Sequence, residues 1–149
     1  MILFAPFAAR SPSLNGNLSP KDYPFARELA ELLEKDYELV QVGGGNDEQV
    51  CKTFRPNPSF HDLGKLITES QTGVCVDSYL QWYYWYLNRR AIVIFSVSDP
   101  LIFGTSGNLN LLKDRKFLRP QQFDLYYGNQ VNPEAFVSPE EVLSTLNSL

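Results

Sequence analysis

The chain has 149 residues, of which 44% are apolar and 20% are charged, with a net charge of −4 and a sequence pI near 5.0. This is the size and composition of one globular domain, and we expect a single domain over residues 1–149. The acidic balance argues against general nucleic-acid binding, and no apolar run reaches the roughly 18–20 residues that cross a bilayer.

The first sixty residues alternate between apolar runs and helical patterns, which is typical of β–α–β units and a parallel sheet. The N-terminus lacks the positive n-region of a signal peptide and predicts a strand over residues 2–7. A polar loop over residues 10–18 follows. Ser19-Pro20 then predicts a helix N-cap with proline at the first position, and that helix runs to about Lys35.

The next elements repeat the strand and helix pattern. Residues 37–42 alternate as a second strand and end in a glycine-rich turn over residues 43–48. A short third strand is predicted near residues 52–54. Ser59 predicts the cap of a helix over residues 60–69.

The central part of the chain contains the clearest strand. Residues 72–76 predict a short buried strand that ends at Asp77-Ser78, and a helix over 79–87 follows. Residues 91–95 are a continuous apolar run, which favours the centre of a sheet. Near the C-terminus, Ser138-Pro139-Glu140-Glu141 is a capping-box pattern that opens a last helix.

The helix over 79–87 is crowded with aromatic residues. Four of them share one helical face at i, i+3, i+4 and i+7 spacing: Tyr79, Trp82, Tyr83 and Tyr86. Such a stripe is usually part of the core. Tyr84 and Trp85 lie on other sides, however, so the helix is aromatic nearly all round and is a candidate interface with another chain.

The cysteine and histidine content argues against a metal site. Cys51 and Cys75 lack metal or redox spacing, and Cys75 lies in an apolar strand where a small buried thiol is expected. His61 is the only histidine, so we expect no zinc and no other metal. Free thiols indicate a reduced, cytoplasmic location. The sequence also has no Walker motif and no Ser/His/Asp ordering.

Three loops are predicted at the same edge of the sheet, because each follows a parallel strand. They are residues 43–48, 77–78 and 96–99. Ligands bind at that edge in open α/β sheets. The loop at 77–78 leads directly into a helix N-terminus, whose N–H groups and partial positive charge suit a phosphate, and Ser78 adds a hydroxyl donor.

Each of these loops has more than one interpretation. Ser98-Asp99-Pro100 favours a simple turn, because proline fixes φ and Asp favours turn starts, whereas its place after the central strand favours a ligand site. A carboxylate at Asp77 facing the ligand would repel a phosphate, so we expect Asp77 to cap the helix or to hold the neighbouring loop. The glycines at 43–45 do not form a dinucleotide-binding fingerprint. They form either a flexible strand-to-helix turn or a surface for a base or ribose, with Asp47 or Glu48 accepting a hydroxyl hydrogen bond.

The order of these motifs resembles the C-terminal, donor-binding domain of family nine glycosyltransferases, the heptosyltransferase-like group with the GT-B fold. The resemblance covers most of the chain up to about Gly104. The segments that carry it are Ile2-Leu3-Phe4-Ala5-Pro6, Lys21-Asp22-Tyr23-Pro24, Val42-Gly43-Gly44-Gly45-Asn46-Asp47-Glu48, the helix positions Leu63, Leu66 and Ile67, Asp77-Ser78, and Ile92 to Pro100.

The resemblance implies a Rossmann-like three-layer α/β domain with a mainly parallel sheet, one half of a GT-B enzyme. In that family this half binds a nucleotide-sugar without a further cofactor. Acceptor and catalytic base belong to a second domain, so we expect a protein partner or a homo-oligomer. By match to the family, the residues implicated in donor binding are Gly43, Gly44, Glu48, Asp77, Ser78, Ser98 and Asp99.

The chain also departs from the family pattern at three positions. Tyr79 occupies a glycine position, Trp82 occupies the position of a phosphate-facing histidine, and Ser96 replaces a glycine. A tryptophan has one N–H and no cationic form, so it cannot replace an imidazole as a phosphate donor.

These departures leave three functional hypotheses. The first is a glycosyltransferase-like subunit that binds a nucleotide-sugar and needs a partner to complete transfer. The second is a non-catalytic module that kept the fold and binds a protein or a small nucleotide. The third is an unrelated nucleotide-processing enzyme on a flavodoxin-like sheet.

Overall fold

The computed structural model describes residues 1–9, 19–124 and 130–149. The loop predicted over 10–18 lies outside the described residues. All six strands run parallel in one sheet, in the order β3-β2-β1-β4-β5-β6. The strands are β1 (Ile2–Ala5), β2 (Leu39–Gly43), β3 (Thr53–Pro56), β4 (Thr72–Val76), β5 (Ala91–Phe95) and β6 (Leu109–Leu112).

Helices cover both faces of the sheet. They are α1 (Ala26–Leu33), α2 (Phe60–Glu69), α3 (Tyr79–Tyr86), α4 (Pro100–Phe103) and α5 (Pro139–Asn147). Buried residues of α1 and α5 share one core cluster, and buried residues of α2 and α3 share the other. The chain is therefore a Rossmann-like three-layer α/β protein, as predicted, with the strand order found in dinucleotide-binding sheets.

Successive side chains along each strand pack alternately into the two core clusters. Ile2 and Phe4 of β1 pack against α1 and α5, whereas Leu3 and Ala5 pack on the side of α2 and α3. Because successive strand side chains point to opposite faces, a continuous apolar run fits a strand that is buried on both sides. The run over β5 does this, and all five of its residues are buried.

Several predicted boundaries are confirmed. Helix α2 spans Phe60–Glu69, with the Ser59 hydroxyl accepting from the Asp62 amide, and β4 and β5 have their predicted limits. Helix α5 begins with the predicted capping box between Ser138 and Glu141. In the described ranges, none of the helices is long and apolar enough to span a bilayer.

The predicted start of α1 is wrong. The helix begins at Ala26 rather than at Ser19-Pro20. Residues 19–25 form turns, in which the Asp22 carboxylate accepts from the amides of Ala8 and Ser19. In a helix beginning at Pro20, the Pro20 carbonyl would need a hydrogen bond from the amide of Pro24, and proline has no amide hydrogen.

Candidate functional site

A cavity of about 620 Å³ opens at the carboxyl edge of the sheet. Its walls come from the segments that leave four strands: residues 7–9 after β1, 43–47 after β2, 57–58 after β3 and 78–80 after β4. The strand order reverses between β1 and β4, so the cavity lies at the point where doubly wound sheets bind ligands. Its volume is within the range of small-molecule sites, about 300–1,000 Å³.

The glycine turn after β2 is held in shape by polar bonds. Asp47 Oδ2 accepts from the Gly44 amide at 2.8 Å, and Asn57 Oδ1 accepts from the Gly45 amide at 3.1 Å. A Cβ on Gly43 would clash with the Asp47 carboxylate, and one on Gly45 would lie 2.8 Å from Asn57 Nδ2. The glycines therefore permit close approach of Asp47 and Asn57, which makes the turn a shaped wall rather than a flexible link.

The start of α3 contributes donors to the cavity. In the described part of the chain, no group accepts a hydrogen bond from the amides of Ser78, Tyr79 or Leu80. The Ser78 hydroxyl makes no capping bond either. All three residues line the cavity. Open amides at a helix N-terminus attract anions, because they combine hydrogen-bond donors with the positive end of the helix dipole.

Asp77 is turned away from the cavity and holds two neighbouring segments. Its carboxylate accepts from Gln81 Nε2 at 2.7 Å and lies 3.4 Å from Lys21 Nζ. Gln81 belongs to α3, and Lys21 belongs to the segment between β1 and α1. This is the structural role expected for Asp77, and the contacts reduce its repulsion of an anion at Ser78.

Of the seven predicted donor-binding residues, three line the cavity: Gly43, Gly44 and Ser78. Glu48 instead makes an ion pair with Arg27 at the start of α1, on the exposed surface. Asp47, the alternative to Glu48 as a hydroxyl acceptor, does line the cavity.

The loop after β5 lies at the same edge of the sheet but does not line the cavity. Ser98 is buried, and Asp99 caps α4 by accepting from the Leu101 amide at 2.9 Å. Asp99 also receives two bonds from Arg115, at 3.1 and 2.7 Å. These bonds hold the pKa of Asp99 below its usual value, with the Arg115 contact the largest cause. Gln122 covers the loop by bonding the carbonyl of Val97.

The aromatic stripe of α3 is mostly at the surface, so its assignment to the core is wrong. Tyr79, Trp82 and Tyr86 are 57%, 44% and 74% exposed, and only Tyr83 of the four is buried. Trp82 neither packs in the core nor lines the cavity. Tyr84 is fully buried on the opposite side, with its ring against Gly73 of β4.

Sequence reasoning missed two parts of the wall. Residues 7–9 follow β1, and Asn57-Pro58 follow β3. The rule that parallel strands end at one edge would have found both, because both strands were predicted. Asn57 has a φ of 45°, a left-handed conformation that asparagine tolerates well.

Neither thiol suits nucleophilic or metal chemistry. Burial raises the pKa of Cys51 to about 12 and raises the pKa of Cys75 further above its usual value. Cys75 is fully buried, as predicted. In residues 1–9, 19–124 and 130–149, no three His, Cys, Asp or Glu side chains are grouped in a way that could hold a metal ion.

No protein-family model, no curated protein and no solved structure matches this chain. Fold and site alone therefore define its class. It is an all-parallel α/β protein with a ligand-sized cavity at the crossover of its sheet, bounded by a glycine turn and an uncapped helix N-terminus.

Proposed function

We propose that this chain binds the nucleotide portion of a nucleotide-sugar in the cavity at the crossover of the sheet. The observation that carries the proposal is the start of α3, where the amides of three cavity-lining residues and the Ser78 hydroxyl have no partners in the described residues. The resemblance of the motif order to donor-binding domains of family nine glycosyltransferases supports this ligand class.

The diphosphate has its place at residues 78–80. Amides at a helix start bind phosphate oxygens without a cationic side chain, so the loss of the family histidine at Trp82 leaves these donors intact. Gln81 and Lys21 bond the Asp77 carboxylate, and these contacts reduce its repulsion of a phosphate at residues 78–80.

The nucleoside has its place against the glycine turn. Asp47 Oδ2 is used by the Gly44 amide, and the second carboxylate oxygen remains as an acceptor for a ribose hydroxyl. Tyr79 lies near Asp47 at this wall. Burial, and after it the negative charge of Asp47, raises the pKa of the Tyr79 phenol. Phe7 and residues 8–9 supply an apolar wall for the base.

Transfer of the sugar needs groups that the described part of the cavity wall does not supply. Helix amides can stabilise the leaving diphosphate, which is the electrostatic contribution that dominates such reactions. Among the described residues that line the cavity, Asp47 is the sole carboxylate, and it is engaged by the glycine turn. We therefore assign the acceptor base to a partner domain or chain, as in the GT-B arrangement.

The test is calorimetric titration with UDP-, ADP-, GDP- and CMP-sugars, followed by the matching nucleotide and nucleoside. We expect at least one nucleotide-sugar to bind, and the nucleoside without phosphate to bind much more weakly. Ser78→Ala should lower that affinity several-fold, because it removes a donor to phosphate. Ser138→Ala, a helix-cap change at a residue that does not line the cavity, should bind like the native protein.

Absence of heat with all four sugar classes would refute donor binding. It would favour the second candidate, a protein-interaction module, for which the exposed aromatic residues of α3 are the supporting observation. Light scattering over a range of protein concentrations measures self-association directly.

A further inference from the structure

The exposed apolar side chains are concentrated on one side of the molecule. In the described residues, nine large apolar side chains are exposed, and none of them belongs to α1 or α5. Five are aromatic rings of α2 and α3, which we call the aromatic patch: Phe60, Tyr79, Trp82, Trp85 and Tyr86. Exposed apolar patches of this kind are typical of surfaces that another molecule covers.

The rings of the aromatic patch are held in fixed mutual positions. Trp82 and Trp85 meet edge to face, with ring centroids 6.2 Å apart. Phe60 stacks on the buried ring of Tyr83, with centroids 4.1 Å apart, and the Tyr83 hydroxyl donates to the Phe60 carbonyl at 3.0 Å. Four rings of the patch surround a depression of about 320 Å³ over Tyr83. Rings that are already fixed lose little conformational freedom when another surface packs on them.

The aromatic patch is large enough for a stable protein interface. Burying an aromatic side chain fully removes about 200 Å² of surface from water, so five rings that are 44–74% exposed offer about 600 Å². Stable protein interfaces bury about 600–1,000 Å² on each partner. The five rings alone therefore reach the lower end of this range, before their neighbours are counted.

The charge distribution favours a second copy of this chain as the partner. Helix α3 has no charged side chain, and none follows it before Arg89. A strongly charged partner would therefore meet no opposite charge on α3, whereas homodimer interfaces are rich in apolar and aromatic residues. Two acidic copies, each with a net charge of −4, repel one another in general, but an uncharged face lets them meet without like-charge contacts.

The pattern along α3 also fits a two-fold axis. In a closed dimer both copies use the same surface, so that surface must complement itself. Tyr79 and Tyr86 are the two ends of the exposed stripe, and Trp82 lies between them. When two such stripes cross in antiparallel orientation, Tyr79 of one copy faces Tyr86 of the other. We propose that two copies of this chain form a closed dimer through the aromatic patch, with α3 packed against α3.

This inference goes beyond the proposed function and does not rest on it. Tyr79 lines the nucleotide cavity as well as the depression, so the second copy borders the cavity. Trp82 does not line the cavity, so a change at Trp82 tests the dimer without removing a cavity residue. A chain that dimerises but binds no nucleotide would refute the proposed function alone.

The test is sedimentation velocity of the full chain from micromolar to millimolar concentration. We expect the mass to double as the concentration rises and then to stay constant, as it does for a closed dimer. The two tryptophans of the chain, Trp82 and Trp85, both belong to the aromatic patch. Their fluorescence emission should therefore shift to shorter wavelength in step with the doubling of the mass.

Trp82→Glu and Tyr86→Glu should raise the dissociation constant about a hundredfold or more, because each places a charge in an apolar interface on both copies. Trp82→Phe keeps a ring and should dimerise within about tenfold of the native chain. Ser144→Glu is the matched control, since it adds the same charge at an exposed position of α5, and it should dimerise like the native chain. Thermal unfolding at low concentration establishes that the variants fold.

Several results would overturn the inference. A mass that stays monomeric at every concentration excludes the dimer, and a shift of tryptophan emission on adding phosphatidylcholine vesicles would then assign the patch to a lipid surface. A dimer that survives both Trp82→Glu and Tyr86→Glu would be joined through another surface. A mass that keeps rising would show a contact that does not close. Equal weakening by Ser144→Glu would mean that net charge, and not the patch, controls association.

Discussion

Two kinds of helix start differ in this molecule, although serine occupies the same position in each. At α2 and α5, Ser59 and Ser138 accept from the amides of Asp62 and Glu141, at 3.1 and 3.2 Å. At α3, the Ser78 hydroxyl makes no such bond. The first two helices begin on the surface with the amide of their third residue bonded to the serine cap. Helix α3 begins at the cavity with its amides available, so it lacks a cap bond that stabilises the others.

The backbone that leads into the helix differs as well. Ser59 and Ser138 have φ values of −60° and −72°, and Ser78 has a φ of −153°, with all three extended in ψ. The preceding chain therefore reaches Ser78 from a different direction than it reaches the two capping serines. A serine at an N-cap position in a sequence is either a stabilising cap or an open donor, and the position alone does not decide which.

The largest expected effect tests the open amides directly. Tyr79 is the first residue of α3, and Ser78 before it is extended, so proline fits at Tyr79 without disturbing the helix. Tyr79→Pro removes one N–H from the cavity and should weaken nucleotide binding about tenfold or more, as expected for a hydrogen bond to a charged group. Calorimetric titration measures this loss.

Tyr79→Ala is the matched control, because it removes the same ring but keeps the amide. It should lose much less nucleotide affinity than Tyr79→Pro. Equal losses in the two variants would mean that the ring, and not the amide, contacts the ligand. Thermal unfolding of both variants establishes that α3 is still formed.

A smaller effect is expected on stability. Ser138→Ala breaks the capping box of α5 and should lower the free energy of unfolding by about 1 kcal/mol, and Ser59→Ala should lower it similarly. Ser78→Ala should leave it nearly unchanged, because no cap bond is lost. Urea unfolding of the three variants measures the differences. A loss at Ser78 as large as at Ser138 would show that its hydroxyl does cap α3 in solution.

The sheet was more predictable than the site. Periodicity and capping residues predicted α2, β4 and β5 with their boundaries, because these elements satisfy local rules and bury apolar faces. Strand β6 was missed, since Leu109–Leu112 lies at the edge of the sheet and is only half-buried. The apolar pattern of β6 covers only four residues, and the strand follows a loop rich in glycine and polar residues.

The site depended on long-range contacts that one sequence does not display. The rule for parallel strands predicted that the turns at residues 43 and 78 share an edge, and both line the cavity. The same rule included the loop at Asp99, but Arg115, sixteen residues away, bonds that carboxylate. The exposure of the α3 stripe was likewise decided by tertiary packing, because Tyr84 and Leu80 fill the core on the other side.

The smallest expected effect is a pH dependence of stability that arises from Asp99 at the start of α4. Asp99 caps α4 and pairs with Arg115, so its pKa in the folded chain is below the unfolded value of about 3.9. A group with a lowered folded pKa stabilises the fold above the unfolded pKa and loses this contribution as the pH falls through the folded pKa. The Asp99 contribution should therefore be constant at neutral pH and decline below about pH 4.

Asp99→Asn retains a capping side chain but removes the charge. We expect the variant to be slightly less stable than the native chain at pH 7, and the difference to shrink as the pH is lowered below 4. Urea unfolding midpoints at a series of pH values measure it. A difference that stayed constant with pH would contradict the ion pair. In that case the Asp99 side chain would stabilise α4 only as a cap, and its ion pair with Arg115 would contribute nothing to stability.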